Sequence, residues 1–91
     1  MSVRVRFFAY YRDLFGGRES LSPAEPGLTI GILLSRLCDT PRRKAELLDA
    51  DRLRKHVIVM INGEALDPSA PLNTPVRDGD VVSIFPLMAG G

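Results

Sequence analysis

Val57-Ile58-Val59-Met60-Ile61-Asn62-Gly63 is the stretch from which the fold can be read. Five apolar residues in so short a run predict a strand that is covered on both faces over at least part of its length. Asn62-Gly63 follows at once, and because both residues tolerate positive φ the pair predicts a two-residue hairpin turn. Glu64-Ala65-Leu66 is then a short return strand. Further on, Asp67 to Pro75 holds three prolines and reads as an irregular loop with one helical turn near Leu72. Asp78-Gly79-Asp80 is another turn, and Val81 to Phe85 is a last strand.

Toward the N-terminus, Asp49 to Lys55 reads as a polar connection. Before it, Thr40-Pro41 supplies a cap and a first-turn proline for a short helix from Arg42 to Leu48. Thr29 stands as N-cap before Ile30, Leu33, Leu34 and Leu37 at helical spacing, which predicts the main helix over Thr29 to Cys38. Gly31 weakens that helix by about 1 kcal/mol relative to Ala unless the position needs close packing. Arg18 to Ser22 is a weaker strand, and Tyr10 to Phe15 is one helical turn ended by Gly16-Gly17. Val3-Arg4-Val5-Arg6-Phe7 alternates with a period of two and is the first strand.

This order predicts a small α+β domain, with one main helix packed across one face of a mixed sheet. The expected inward set is Val3, Val5, Phe7, Ile30, Leu33, Leu34, Leu37, Val57, Val59, Ile61, Val82 and Ile84. The same registers leave Phe8, Ile58, Met60 and Phe85 on the outer face, where no second layer is available. Four large apolar groups there make a patch of a few hundred Å², the size of a partner contact.

A chain of 91 residues supports one core. Twelve Lys and Arg against eleven Asp and Glu give a net charge of +1, too balanced for a nucleic-acid or membrane-surface binder. The basic runs Arg42-Arg43-Lys44 and Arg52-Leu53-Arg54-Lys55 read as solvated faces. One cysteine cannot form an internal disulfide, the opening residues show no n-region followed by an apolar h-region, and no apolar run approaches the ~20 residues of a membrane span. The expected location is the cytoplasm.

Internal catalytic candidates are sparse. His56 has no neighbouring Cys or His in sequence, which favours a surface or edge histidine over a metal ligand. Cys38, at a helix end, is either a nucleophile or a small packed hydrophobe. Asp39, Glu46, Asp49 and Asp51 lack the spacing of a calcium loop, and Gly16-Gly17 lacks the Gly-Lys-Ser/Thr of a phosphate loop. No residue set here makes an enzyme by itself.

That leaves Phe85-Pro86-Leu87-Met88-Ala89-Gly90-Gly91. Pro86 has no N–H to donate, so the expected division is a folded domain over 1–85 and a flexible tail over 86–91. The six residues from Pro86 onward, with Pro86, Leu87, Met88, Ala89 and Gly90 as the stalk, can extend roughly 20 Å at about 3.3–3.6 Å per residue. If the chain ends at Gly91, its α-carboxylate, with a pKa of about 3.3–3.7, is an anion at neutral pH. Such an anion can attack the α-phosphorus of ATP to form an acyl-adenylate, open in turn to a sulfur nucleophile or an amine. Two residues without side chains suit a narrow channel in an activating enzyme.

Val5-Arg6-Phe7-Phe8-Ala9 with Arg12-Asp13-Leu14-Phe15-Gly16 resembles the opening of the MoaD-like small subunit of molybdopterin synthase. Val59 to Gly63, Leu72, Asp78 to Val81 and Phe85 to Gly91 resemble the remaining landmarks of the MoaD/ThiS group of ubiquitin-like sulfur carriers. The resemblance implies the β-grasp fold. It implies that Gly91 is adenylated by a MoeB-like, ubiquitin-activating-type adenylyltransferase that uses ATP. The chain itself would bind no cofactor. Gly91 would then become a thiocarboxylate that donates sulfur inside the large subunit of molybdopterin synthase. Phe8 and Phe85 match positions that contact both partners, and Arg12 matches one associated with partner binding. Thr40 to Lys55 is longer than in compact members, as in carriers serving cysteine synthesis and in archaeal-type protein modifiers. A carrier for another pathway, a protein modifier, and an interaction module that never uses its terminus are the alternatives.

Overall fold

The structure, a computed structural model, describes residues 1–87. Strand β1 (Ser2–Phe7) leads into the single helical turn α1 (Tyr11–Leu14), and β2 (Glu19–Pro23) returns antiparallel to β1. Helices α2 (Ile30–Leu37) and α3 (Pro41–Leu47) follow, then the two-residue strands β3 (Leu48–Asp49) and β4 (Arg52–Leu53). Strands β5 (Val57–Ile61) and β6 (Glu64–Ala65), a 3₁₀ turn at Pro71–Asn73 and β7 (Val81–Pro86) complete the order.

Five strands form one mixed sheet in the order β2-β1-β7-β5-β6. The first and last strands of the chain lie side by side and parallel at its centre, and the other pairings are antiparallel. Asn62 and Gly63 both have positive φ, 52° and 81°, which builds the β5–β6 hairpin turn expected of that pair.

Both long helices begin where their caps predict. Thr29 Oγ1 accepts the Ile32 amide at 3.3 Å, and Thr40 Oγ1 accepts the Arg43 amide at 3.1 Å. Helix α2 turns Ile30, Leu33 and Leu34 onto Val3, Val5, Phe7, Val57, Val59, Val82 and Ile84, all buried. Gly31 allows a close approach: a Cβ on it would lie 3.0 Å from the Leu72 carbonyl oxygen and 3.3 Å from Leu72 Cβ.

Several expectations are corrected. Asp49 to Lys55 is more than a polar connection, because Leu48 pairs with Leu53 and Asp49 with Arg52 in a small hairpin. Ala50 makes its turn at φ 56°, where no glycine or asparagine announces it. Leu37 and Ile61 are half-buried, whereas Tyr11, Leu28, Leu47 and Val76 join the core. Leu28 and Val76 lie in loops without periodicity, yet the Val76 amide donates to the Leu28 carbonyl at 2.9 Å and both side chains are buried in the core.

The basic runs are also not simply solvated. Arg43 donates to the Leu14 carbonyl, pairs with Asp39 and stands 5.5 Å over the Phe15 ring, tying α3 to α1. Arg54 donates to the Ala45 carbonyl. Arg42, Lys44, Arg52 and Lys55 remain exposed.

Pro86 does not leave the sheet. It is buried and stands opposite Val57 in the β5–β7 register. The Asn62 amide bonds to the Val81 carbonyl and the Leu87 amide to the His56 carbonyl, so the hydrogen-bonded positions of β7 facing β5 are the odd-numbered ones. Pro86 falls between them, where no N–H is required, and its ring faces inward after Val82 and Ile84. No helix among the described residues is long and apolar enough to cross a membrane.

Candidate functional site

One face of the sheet carries α2, and the registers decide what the other face presents. Val5 pairs with Val82 and Phe7 with Ile84 on the inner side, which sends Arg4, Arg6, Ser83 and Phe85 outward. Across β5 the partners are Ile58 with Phe85 and Met60 with Ser83, so Ile58 and Met60 share that outer face. Phe8 extends the parallel pairing by one residue, its amide donating to the Ile84 carbonyl at 3.2 Å. Ala9 then adopts φ 55° and turns the chain into α1, leaving the Phe8 ring on the outer face.

Phe8 and Phe85 meet edge to face, with ring centroids 5.9 Å apart. Together with Ala9, Met60, Ser83 and Pro86 they line a shallow groove of about 410 Å³. Ile58 flanks the groove from beside Phe85. Phe8, Ile58, Met60 and Phe85 are all half-buried, packed enough to be ordered and open enough to be touched.

The groove has a cationic rim. Arg6 and Arg12 both place their guanidinium carbons over Phe8, at 5.5 and 5.8 Å from its centroid. Arg12 is held there because its Nε donates to the Phe7 carbonyl at 3.2 Å. Arg4, on the same face, pairs with Glu19 at 3.6 Å. The surface therefore combines an aromatic cleft with fixed positive charge at one side, a form suited to a partner that brings an apolar side chain and a carboxylate together.

The groove opens at the root of the tail. Phe85 and Pro86 line it, and Leu87 follows with its side chain exposed. Met88, Ala89, Gly90 and Gly91, expected to carry and present the reactive carboxylate, lie outside the described residues.

The remaining candidates take structural places. Cys38 caps α2, half-buried, with Sγ 3.6 Å from the Arg43 carbonyl oxygen. Burial and the adjacent Asp39 charge push its thiol up to about 11, the behaviour of a packed hydrophobe rather than a nucleophile. His56 stands partly exposed at the head of β5, its Nε2 2.7 Å from Glu46 Oε2. Ala9 and Ser83 also line the groove, beyond the residues expected there. Ser83 was legible from strand parity, whereas the left-handed Ala9 has no sequence signal.

Residues 5–91 match the model of the ThiS family. The chain belongs to the ThiS family. Its fold is the ubiquitin-like β-grasp, and the ThiS/MoaD group to which it belongs consists of ubiquitin-like sulfur carriers. Small archaeal modifier protein 3 of Haloferax volcanii is 30% identical over 92 residues, spanning the whole of both chains. The sulfur carrier protein CysO of Mycobacterium tuberculosis is 32% identical over 95 residues, again over the whole of both. Among solved structures, the Haloferax volcanii HVO 2177 protein superposes with a TM-score of 0.83 at 30% identity, covering all of this ThiS-family chain and 87% of the other. A chain in the complex of subunits 1 and 2 of the molybdopterin-converting factor from Helicobacter pylori superposes with a TM-score of 0.63 at 27% identity over the whole of both chains.

Proposed function

We propose that this ThiS-family chain is a sulfur carrier that acts as the small subunit of a molybdopterin synthase, with Gly91 as the attachment point and the Phe8–Phe85 groove as the docking face. The observation that carries the reading is the continuity of groove and tail. Phe85 and Pro86 belong to the docking face, and Gly91 lies five residues beyond Pro86, so a partner seated on the groove has the terminus within reach.

The chemistry follows from the carboxylate. One oxygen attacks the α-phosphorus of ATP bound by a MoeB-like activating enzyme, the bond from that phosphorus to the β-phosphate oxygen breaks, and pyrophosphate leaves. Hydrosulfide then displaces AMP from the acyl carbon and leaves a thiocarboxylate. This chain supplies the acyl group and the docking face, and its partners supply the catalytic groups and bind the nucleotide. The similarity to a chain of the Helicobacter pylori complex supports a large subunit as the partner inside which sulfur is donated.

A second reading, a modifier joined to lysines through an isopeptide bond, is favoured by full-length similarity to small archaeal modifier protein 3. CysO similarity favours a carrier for a different acceptor. Intact mass of the protein from its native host is expected to show about +16 Da, one terminal oxygen exchanged for sulfur. Sulfur donation that survives deletion of Gly91 refutes the carrier reading. Gly-Gly remnants on target lysines after proteolysis identify the modifier instead.

A further inference from the structure

Glu46, contributed by the long Thr40 to Lys55 segment, gathers three side chains at the end of the sheet from which the tail departs. Its Oε2 lies 3.1 Å from the Tyr10 hydroxyl, 3.2 Å from the Tyr11 hydroxyl and 2.7 Å from His56 Nε2. A carboxylate accepts and does not donate, so both tyrosines and the imidazole donate to it. The donors belong to the entry of α1, to α1 itself and to the residue before β5. Burial of Glu46 opposes its charge, but the hydrogen bonds from His56, Tyr10 and Tyr11 outweigh it and hold the carboxyl below its ordinary range.

His56 also stands opposite Leu87, whose amide donates to the His56 carbonyl at 2.6 Å. This bond continues the β5–β7 ladder past Pro86 to the residue before β5. The residue that closes the tail root is therefore the one that Glu46 holds by its ring.

We propose that Glu46 is a positioning residue for the root of the tail: by fixing His56 it fixes the carbonyl that anchors Leu87, and so holds the end of β7 in place against the residue before β5. The idea rests on the carrier reading for its purpose, since a reactive end gains from a fixed root only when another protein's site must receive it. The anchoring itself is a property of this chain alone and is tested without a partner.

The experiment is amide hydrogen exchange, read residue by residue by NMR on the full chain, in Glu46→Ala and in His56→Phe. The second variant keeps the main-chain carbonyl and removes the imidazole donor. It keeps the test decisive where Glu46→Ala folds poorly. Leu87 exchange is expected to rise at least tenfold in both variants, with Ser83 and Phe85 changing less than twofold. An unprotected Leu87 amide in the parent protein, an unchanged Leu87 rate, or an equal rise at all three residues overturns the proposal, the last because it marks general loosening. With the cognate activating enzyme, both variants are expected to lose kcat severalfold at unchanged KM, because the Phe8–Phe85 face is intact. Selective exchange with unaltered kcat also overturns positioning. A parent protein that no activating enzyme adenylates defeats the carrier reading and leaves the exchange result to judge the anchor.

Discussion

Phe8 and Phe85, one at the end of the first strand and one near the end of the last, meet edge to face at 5.9 Å on the sheet face opposite α2. Such a pair is worth about 0.5–1.5 kcal/mol beyond its area, enough to order both rings before a partner arrives. Phe8→Ala or Phe85→Ala is expected to weaken binding to the partner by about 2 kcal/mol, roughly thirtyfold, if they act as interface anchors. Isothermal titration of each variant measures this. Unchanged affinity in both removes the docking assignment.

Gly31 should tolerate no branched side chain. The space that its missing Cβ leaves is closed by the Leu72 main chain at 3.0 Å, and α2 cannot move out without lifting Ile30 and Leu34 from the core. Gly31→Val is expected to destabilise by about 1–3 kcal/mol through overpacking. For a domain of this size that lowers Tm by roughly 4–8 °C per kcal/mol. A thermal melt that matches the parent protein shows that the 3₁₀ turn yields freely.

Glu46 gives stability a defined pH response. Its carboxyl is held below the ordinary 4.5 by His56, Tyr10 and Tyr11, against the opposing effect of burial. A carboxyl more acidic in the folded than in the unfolded chain stabilises fully above the unfolded value. That contribution is lost as pH falls through the folded one. The gap in denaturation midpoint between the parent protein and Glu46→Ala is therefore expected at pH 7 and should narrow below about pH 4.5. A gap that is constant with pH means the glutamate acts through packing alone.

Cys38 should be slow to alkylate. With its thiol pushed up to about 11, the thiolate fraction near neutral pH is far smaller than for a free cysteine of about 8.5. Iodoacetamide labelling of the native protein is expected to run roughly 300-fold slower than after unfolding, in line with that difference. Equal rates would return Cys38 to the candidate nucleophiles.

Where the sequence was legible, it was so through periodicity and caps. Alternation placed Val3, Val5 and Phe7 inward, and Thr29 and Thr40 marked helix starts that their hydroxyl bonds confirm. The outer aromatic pair was readable because Phe8 breaks the alternation of its strand. Loop packing was not readable, since Leu28 and Val76 are joined by a long-range main-chain bond and packed into the core in a way that no local pattern encodes. The β3–β4 hairpin was hidden because an alanine occupies its left-handed turn position. Pro86 misled for a different reason: proline forbids a donor, and only the register shows that no donor was wanted there. The cluster around Glu46 joins residues from three separate segments, and no spacing along the chain announces it.

The central place of β7 has a consequence for how the protein is made. A nascent chain that has not reached Val81 possesses the β1–β2 and β5–β6 hairpins but lacks the strand that joins them. Pairings of such long sequence separation form late and cannot be anticipated by local structure. Translation must therefore deliver residues 81–86 before the sheet can close, and Gly91 follows Pro86 by five residues. At about 5–20 residues per second the two events fall within roughly a second of each other. A ribosome that stalls before Val81 releases two hairpins with no central strand to join them.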